Sequence, residues 1–74
     1  MFTREQAYGA LKNESRVMKI QSEEGDTHPI GSLATVLGSV ADTNNVIAYF
    51  VEWDDMPKVA VGVMGSKLRE VKGR

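Results

Sequence analysis

VIAYFVEWDD, which spans residues 46–55, is the segment that decides the fold of this chain. β-Branched and aromatic residues dominate it, and the run stops at the turn-forming residues Asp54-Asp55-Met56-Pro57, so the segment is predicted to be a β-strand. The side chains of a strand alternate between the two faces of a sheet. One face therefore carries Ile47, Tyr49, Val51 and Trp53, and the other carries Val46, Ala48 and Phe50, followed by Glu52 and Asp54.

Both faces of this strand are apolar over most of their length. A chain of 74 residues can form only one hydrophobic core, so only one of the two faces is expected to lie against it. The second face is therefore expected to contact a helix of the same chain, another copy of the chain, or a ligand. The sequence leaves these three alternatives open, and it does not decide which face belongs to the core.

The length and composition predict one small domain over residues 1–74. The chain has no cysteine and a single histidine, His28, so no disulfide, metal site or cofactor is predicted. A core of this size rarely stabilises a fold by more than about 3–5 kcal/mol. Association with further copies is a natural way to gain stability, and a homo-oligomer or a complex with a protein partner is expected.

The charges are unevenly distributed along the chain, although the net charge is only −1. Residues 21–57 contain seven acidic side chains and no lysine or arginine, whereas residues 58–74 contain five basic side chains and one acidic side chain. The small net charge disfavours a general nucleic-acid binder. We interpret the two regions as ordinary solvated faces; the alternative is an acidic patch that meets a cationic partner or the basic end of another subunit.

The start of the chain predicts a soluble protein with a short N-terminal helix. Charged residues occur at Arg4 and Glu5 and no apolar run follows, so neither a secretory signal nor a membrane span of about 20 apolar residues is predicted, and a cytoplasmic location is expected. A helix is predicted over residues 3–12, because Thr3 and Gln6 can form a reciprocal cap. Tyr8 and Leu11 would lie on one helix face and dock on the sheet.

Four more strands are predicted, over residues 16–20, 32–40, 59–64 and 68–71. Gly38 is expected to mark a bulge or bend, with Ala34, Val36 and Val40 on one face of its strand. Residues 41–45 predict a hairpin loop in which Asn adopts a left-handed backbone conformation, and residues 65–67 predict a short turn of 3₁₀ helix. Five short strands with closely spaced turns favour a closed antiparallel barrel.

The pattern over residues 16–71 resembles small SH3-like barrels of the KOW and Tudor type. The resemblance rests on Gly31-Ser32-Leu33-Ala34-Thr35-Val36, on Tyr49-Phe50-Val51-Glu52-Trp53-Asp54, and on Val61-Gly62-Val63-Met64-Gly65-Ser66-Lys67-Leu68-Arg69-Glu70-Val71. It implies a mainly β fold, a five-stranded antiparallel SH3-like barrel to which the N-terminal helix is added. Such barrels serve as peptide binders, methyl-lysine readers, ribosome- and polymerase-associated modules, subunits of larger enzymes and small oligomeric reductases, so the resemblance does not choose a function.

Trp53, Asp54 and Asp55 form the best candidate binding site in the sequence. An indole beside two carboxylates can hold a cation through cation–π attraction and charge pairing. The favoured interpretation is that Trp53 closes one end of the core while the aspartates cap a turn. Tyr49 and Phe50 are further candidates, because one of them must lie outside the core.

Three functions from different classes remain as hypotheses. The first is a non-catalytic interaction module or accessory subunit that self-associates through the second face of the 46–55 strand. The second is a nucleic-acid-associated module of the KOW type, with Lys67 and Arg69 as contacts. The third is a small-molecule-binding or enzymatic homo-oligomer; no set of nucleophile, base and oxyanion donors predicts catalysis by a single copy.

Overall fold

The computed structural model describes residues 4–72 and shows a mainly β protein, as the sequence predicts. Its five strands are β1 (Arg16–Lys19), β2 (Leu33–Ala41), β3 (Ile47–Trp53), β4 (Val61–Met64) and β5 (Leu68–Glu70). A 3₁₀ helix, Gly65–Lys67, joins β4 to β5 and confirms the prediction for that turn.

The five strands form one antiparallel sheet in the order β4-β3-β2-β1-β5, and this sheet is not closed. The prediction of a closed barrel is therefore wrong. In a flat sheet the edge strands β4 and β5 would lie about 19 Å apart, because neighbouring strands are about 4.8 Å apart. The 3₁₀ helix Gly65–Lys67 spans only about 6 Å. The sheet must therefore curl until its two edges approach each other at this end, without pairing.

Over residues 4–12 the predicted N-terminal helix is absent, because residues of the sheet form hydrogen bonds with backbone groups that a helix would pair internally. The backbone N–H of Ala7 donates to Ser39 Oγ at 2.9 Å, and that of Leu11 donates to the Tyr49 hydroxyl at 2.9 Å. Tyr8 is fully exposed, so its predicted docking is wrong, whereas Leu11 packs against the core. Thr3, the predicted cap, lies outside the described residues. Within residues 4–72, no helix has the length and apolar character that crossing a membrane requires.

The core lies on the inner side of the curled sheet. Val17, Val36 and Val51 are completely buried, and each comes from a different central strand. The inward side chains of β3 are those of the Tyr49 face, so this face of the 46–55 strand is the core face. The remaining core members are Ala34, Tyr49, Trp53 and Leu68.

The bulge predicted at Gly38 is present and changes which side chains face the core. The pairing of β2 with β3 shifts between Val36 and Gly38. After this shift Ser39 is buried and Val40 is 41% exposed, so the prediction that Val40 shares a face with Ala34 and Val36 is wrong. The predicted left-handed residue of the hairpin loop is Asn45, with φ 63°.

Candidate functional site

A groove with a volume of about 330 Å³ runs beside β4. We call it the β4 groove. All four residues of β4 border it, and Trp53 and Met56 come from the end of β3 and the loop that follows. The opposite side is formed by Lys19 of β1, by Lys67, and by the loop between β1 and β2, which contributes Asp26, Thr27 and His28.

His28 packs against Trp53 at one end of the β4 groove. Their ring centroids are 4.4 Å apart with an interplanar angle of 13°, so the rings are stacked. Nε2 of His28 is 2.9 Å from Asp55 Oδ1, and Nδ1 is 3.2 Å from the Thr27 hydroxyl. The neutral tautomer with hydrogen on Nε2 satisfies both contacts. Through its contacts with Trp53 and Asp55, His28 therefore connects the β1–β2 loop to the end of β3.

Asp26 lies between two lysine ammonium groups on the opposite side of the groove. Its Oδ2 is 3.1 Å from Lys19 Nζ and 3.0 Å from Lys67 Nζ, and it accepts the backbone N–H of Glu23. Lys19 is only 3% exposed, and its ammonium also donates to the His28 carbonyl at 2.6 Å. These contacts satisfy a buried charge, which would otherwise be strongly unfavourable.

The hydrogen bonds to Asp26 predict a specific loss of stability in acid. The Glu23 backbone N–H, followed by the Lys67 and Lys19 ammonium groups, holds the pKa of Asp26 far below its ordinary range. A carboxyl group with a lowered folded-state pKa contributes stability above its unfolded pKa, near 4, and this contribution is lost as the pH falls. We expect Asp26→Asn to lower the melting temperature at neutral pH and to flatten its decline below pH 4.

Circular dichroism melting across this pH range measures the effect. Glu24→Gln is the matched control, because Glu24 is an exposed acid in the same loop. This substitution should leave both the neutral melting temperature and the acid slope close to those of the wild type. An Asp26→Asn profile with the wild-type slope would show that Asp26 is not responsible for the acid sensitivity.

A second surface lies on the outer side of the sheet, opposite the core. Four apolar residues of β2, β3 and β4 are neighbours there, because Ala48 pairs with both Val40 and Met64, and Phe50 follows on the same face. We call these four residues the outer-face patch. Val40 and Met64 are 41% and 45% exposed, and Ala48 and Phe50 are half-buried.

Glycines lie on both sides of Phe50 in the outer-face patch. Phe50 pairs with Gly38 on β2 and with Gly62 on β4. A Cβ at Gly62 would lie 3.9 Å from Phe50 Cε1, so the ring lies beside this glycine.

The structure separates the residues that the sequence grouped as a cation site. Trp53 is 3% exposed, and His28 covers one face of its indole. Asp55 contacts His28, whereas Asp54 binds Arg16 through two hydrogen bonds of 2.7 and 2.6 Å. These hydrogen bonds lower the pKa of Asp54. Tyr49 is buried.

Lys67 and Arg69, the candidate nucleic-acid contacts, also lie on different sides of the molecule. Lys67 Nζ is 3.0 Å from Asp26 Oδ2 and 3.6 Å from Glu23 Oε1, and hydrogen bonding to Asp26 raises the pKa of Lys67. Arg69 is exposed on β5, where it pairs in register with Met18 on the outer side of the sheet. The two cations do not form a single basic surface.

Sequence reasoning missed Lys19 and Asp26 as members of the groove. One signal was available, because Lys19 is two residues after Val17 and therefore shares its inward face in β1. A lysine at an inward position needs a carboxylate partner. The identity of the acidic residue that pairs with Lys19 depends on the path of the β1–β2 loop. The sequence of this loop has no periodic pattern from which its path could be predicted.

Neither the grouping of potential metal ligands nor similarity to known proteins assigns a function to this chain. Among the residues that the structure describes, no three or more histidine, cysteine, aspartate or glutamate side chains are grouped in a way that could hold a metal ion. Comparisons with protein-family models, curated proteins and solved structures find no match for this chain.

Proposed function

We propose that this chain is a non-catalytic interaction module of the SH3-like type, which self-associates through the outer-face patch. The observation that carries this proposal is the position of Val40, Ala48, Phe50 and Met64 as neighbours on the side of the sheet opposite the core. Contiguous exposed apolar surface of this kind is typical of protein–protein contact sites. The strand order and the 3₁₀ helix before β5 support the SH3-like assignment.

A second copy of the chain is the partner that fits this surface. The outer-face patch is a contiguous apolar surface, and such a surface can pack against an identical surface related by a two-fold axis. The net charge of −1 opposes such pairing only weakly. Tyr8 and Val40 border a shallow depression at the margin of the patch, and the completely exposed Tyr8 adds an aromatic side chain to the contact.

The outer face also contains a polar half that can set the orientation of the two copies. Glu52, Thr35 and Arg16 form a cross-strand row beside the outer-face patch. Arg16 Nη1 donates to Thr35 Oγ1 at 2.9 Å while the same guanidinium binds Asp54. Exposed ion pairs of this kind contribute little to the stability of the fold. They can nevertheless disfavour a misaligned dimer, because a wrong alignment would bring like charges together.

Light scattering on a size-exclusion column across a dilution series tests the proposal. We expect the measured mass of the wild type to exceed the 8.1 kDa of the monomer and to fall towards this value on dilution. Val40→Glu should give a folded monomer, because it places a charge within the patch. Leu33→Glu is the matched control: it introduces the same charge at an exposed apolar residue of β2, outside the patch and the polar row, and should keep the wild-type mass. A monomer for the wild type at every concentration would contradict self-association.

A further inference from the structure

We propose that the β4 groove binds an extended peptide segment, which pairs with the free edge of β4 as an additional strand. The segment is uncharged at its centre and carries apolar side chains at alternate positions. This site shares only Met64 with the outer-face patch, and its peptide-binding role does not depend on self-association.

The groove follows the edge of β4 and not one of its faces. Val61 and Val63 point to the core side and pack against the core, whereas Gly62 and Met64 point to the outer side and are exposed. All four residues nevertheless border the same groove. Residues from opposite faces of one strand share a surface only along its edge, so the groove lies where the next strand of a sheet would lie.

The edge of β4 offers backbone groups to such a strand. β4 is the terminal strand of the sheet and pairs only with β3. In an antiparallel pair, alternate residues direct their N–H and C=O groups away from the partner strand. Among the described residues, none donates to or accepts from the outward groups of Val61–Met64. An unpaired strand edge of this kind is a template for another chain.

The shape of the groove selects a single extended chain as its occupant. Besides β4, the segment Asp26–His28 and Lys67 border the groove. The edge strand of a second folded copy carries its own sheet behind it, so it cannot enter between β4 and these residues. A peptide without a neighbouring strand can enter, and addition of a strand to a sheet edge is an established mode of peptide binding.

The lining specifies the chemistry of the peptide. Trp53, Val61 and Val63 offer apolar surface on the core side, where every second side chain of an added strand would point. The charges of Lys19 and Lys67 are already paired with Asp26 and Glu23. A charged residue at the centre of the peptide would compete with these pairs, and a proline at a donating position would lose a backbone hydrogen bond.

Nuclear magnetic resonance titration of the labelled full chain tests the proposal, with the hexapeptide acetyl-STVTVS-amide as the probe. We expect saturable shifts of the Val61–Met64 amides, of the Trp53 indole N–H and of His28. The same peptide carrying N-methyl groups at alternate residues is the control, since it keeps the side chains but lacks the donors that would face β4. It should not bind.

Two matched variants locate the contact. Met56→Lys places a charge in the lining of the groove, at a residue outside the outer-face patch, and should weaken binding about tenfold or more. Leu33→Lys makes the same kind of change at an exposed apolar residue that belongs to neither the groove nor the patch, and should leave the affinity of the probe unchanged. Absence of shifts at Val61–Met64, equal binding of the N-methylated peptide, or equal weakening by both variants would each overturn the proposal.

Discussion

Phe50→Glu is expected to yield a folded monomer, whereas Tyr49→Glu is expected to unfold the chain. Tyr49 is 6% exposed, and its hydroxyl accepts the Leu11 backbone N–H. A glutamate there would bury a charge without a partner, and this cost of several kcal/mol is comparable to the whole stability of a domain of this size. Phe50 lies on the opposite face and is only half-buried, so a carboxylate there loses less contact with water than one at Tyr49.

Circular dichroism melting and light scattering together separate these outcomes. Tyr49→Phe is the control for the core position, because it removes only the hydroxyl that accepts from Leu11; we expect a loss of about 1–3 kcal/mol with the fold retained. If Phe50→Glu also unfolds the chain, both faces of β3 are core and the outer-face patch loses its basis. A folded Phe50→Glu variant with the wild-type mass would instead exclude this patch as the contact between copies.

Trp53→Ala should cause the largest loss of stability among single truncations, about 3–5 kcal/mol. The indole is 3% exposed, belongs to the core cluster, and stacks on the His28 ring. Its removal leaves a cavity and also frees His28, which holds the β1–β2 loop to Asp55. A loss of this size equals the stability expected for a chain of 74 residues, so we expect the variant to be largely unfolded.

Urea unfolding followed by circular dichroism measures this loss, because Trp53 is the single tryptophan and its removal eliminates the fluorescence signal. Tyr8→Ala is the matched control: it truncates an aromatic residue that is fully exposed, and should leave the unfolding midpoint unchanged. Trp53→Phe should retain part of the stacking on His28 and an intermediate stability. A Trp53→Ala midpoint near that of the wild type would show that the indole serves a ligand and not the core.

The sequence indicates some residues of the candidate sites but does not indicate the β4 groove. The physical reasons for these two outcomes differ. Trp53 and Phe50 stand out because large aromatic side chains on a short strand must either fill the core or lie on an exposed face. The β4 groove could not be predicted, because it depends on how the β1–β2 loop returns over the sheet. Lys19, Asp26 and His28 meet there through contacts that no sequence spacing encodes.

The N-terminal segment shows how tertiary contacts override a local signal. Residues 3–12 contain a capping pattern and an amphipathic spacing, and an isolated peptide of this length gains little from either. Ser39 and Tyr49 offer acceptors to the backbone of Ala7 and Leu11, and these bonds replace those of a helix. Gly9 adopts a φ of 82°, which is outside the helical range and is readily accessible to glycine.

By itself, the sequence determined the strand regions of the sheet, the bulge at Gly38 and the hairpin loop with its left-handed asparagine, because these features depend on side-chain alternation and backbone preferences within a few residues. Only the tertiary structure decided that Tyr49 faces the core and Phe50 faces outwards, and that the sheet remains open beside β4. The two faces of β3 carry similar apolar residues, so the choice between them depends on what the rest of the chain brings to each side.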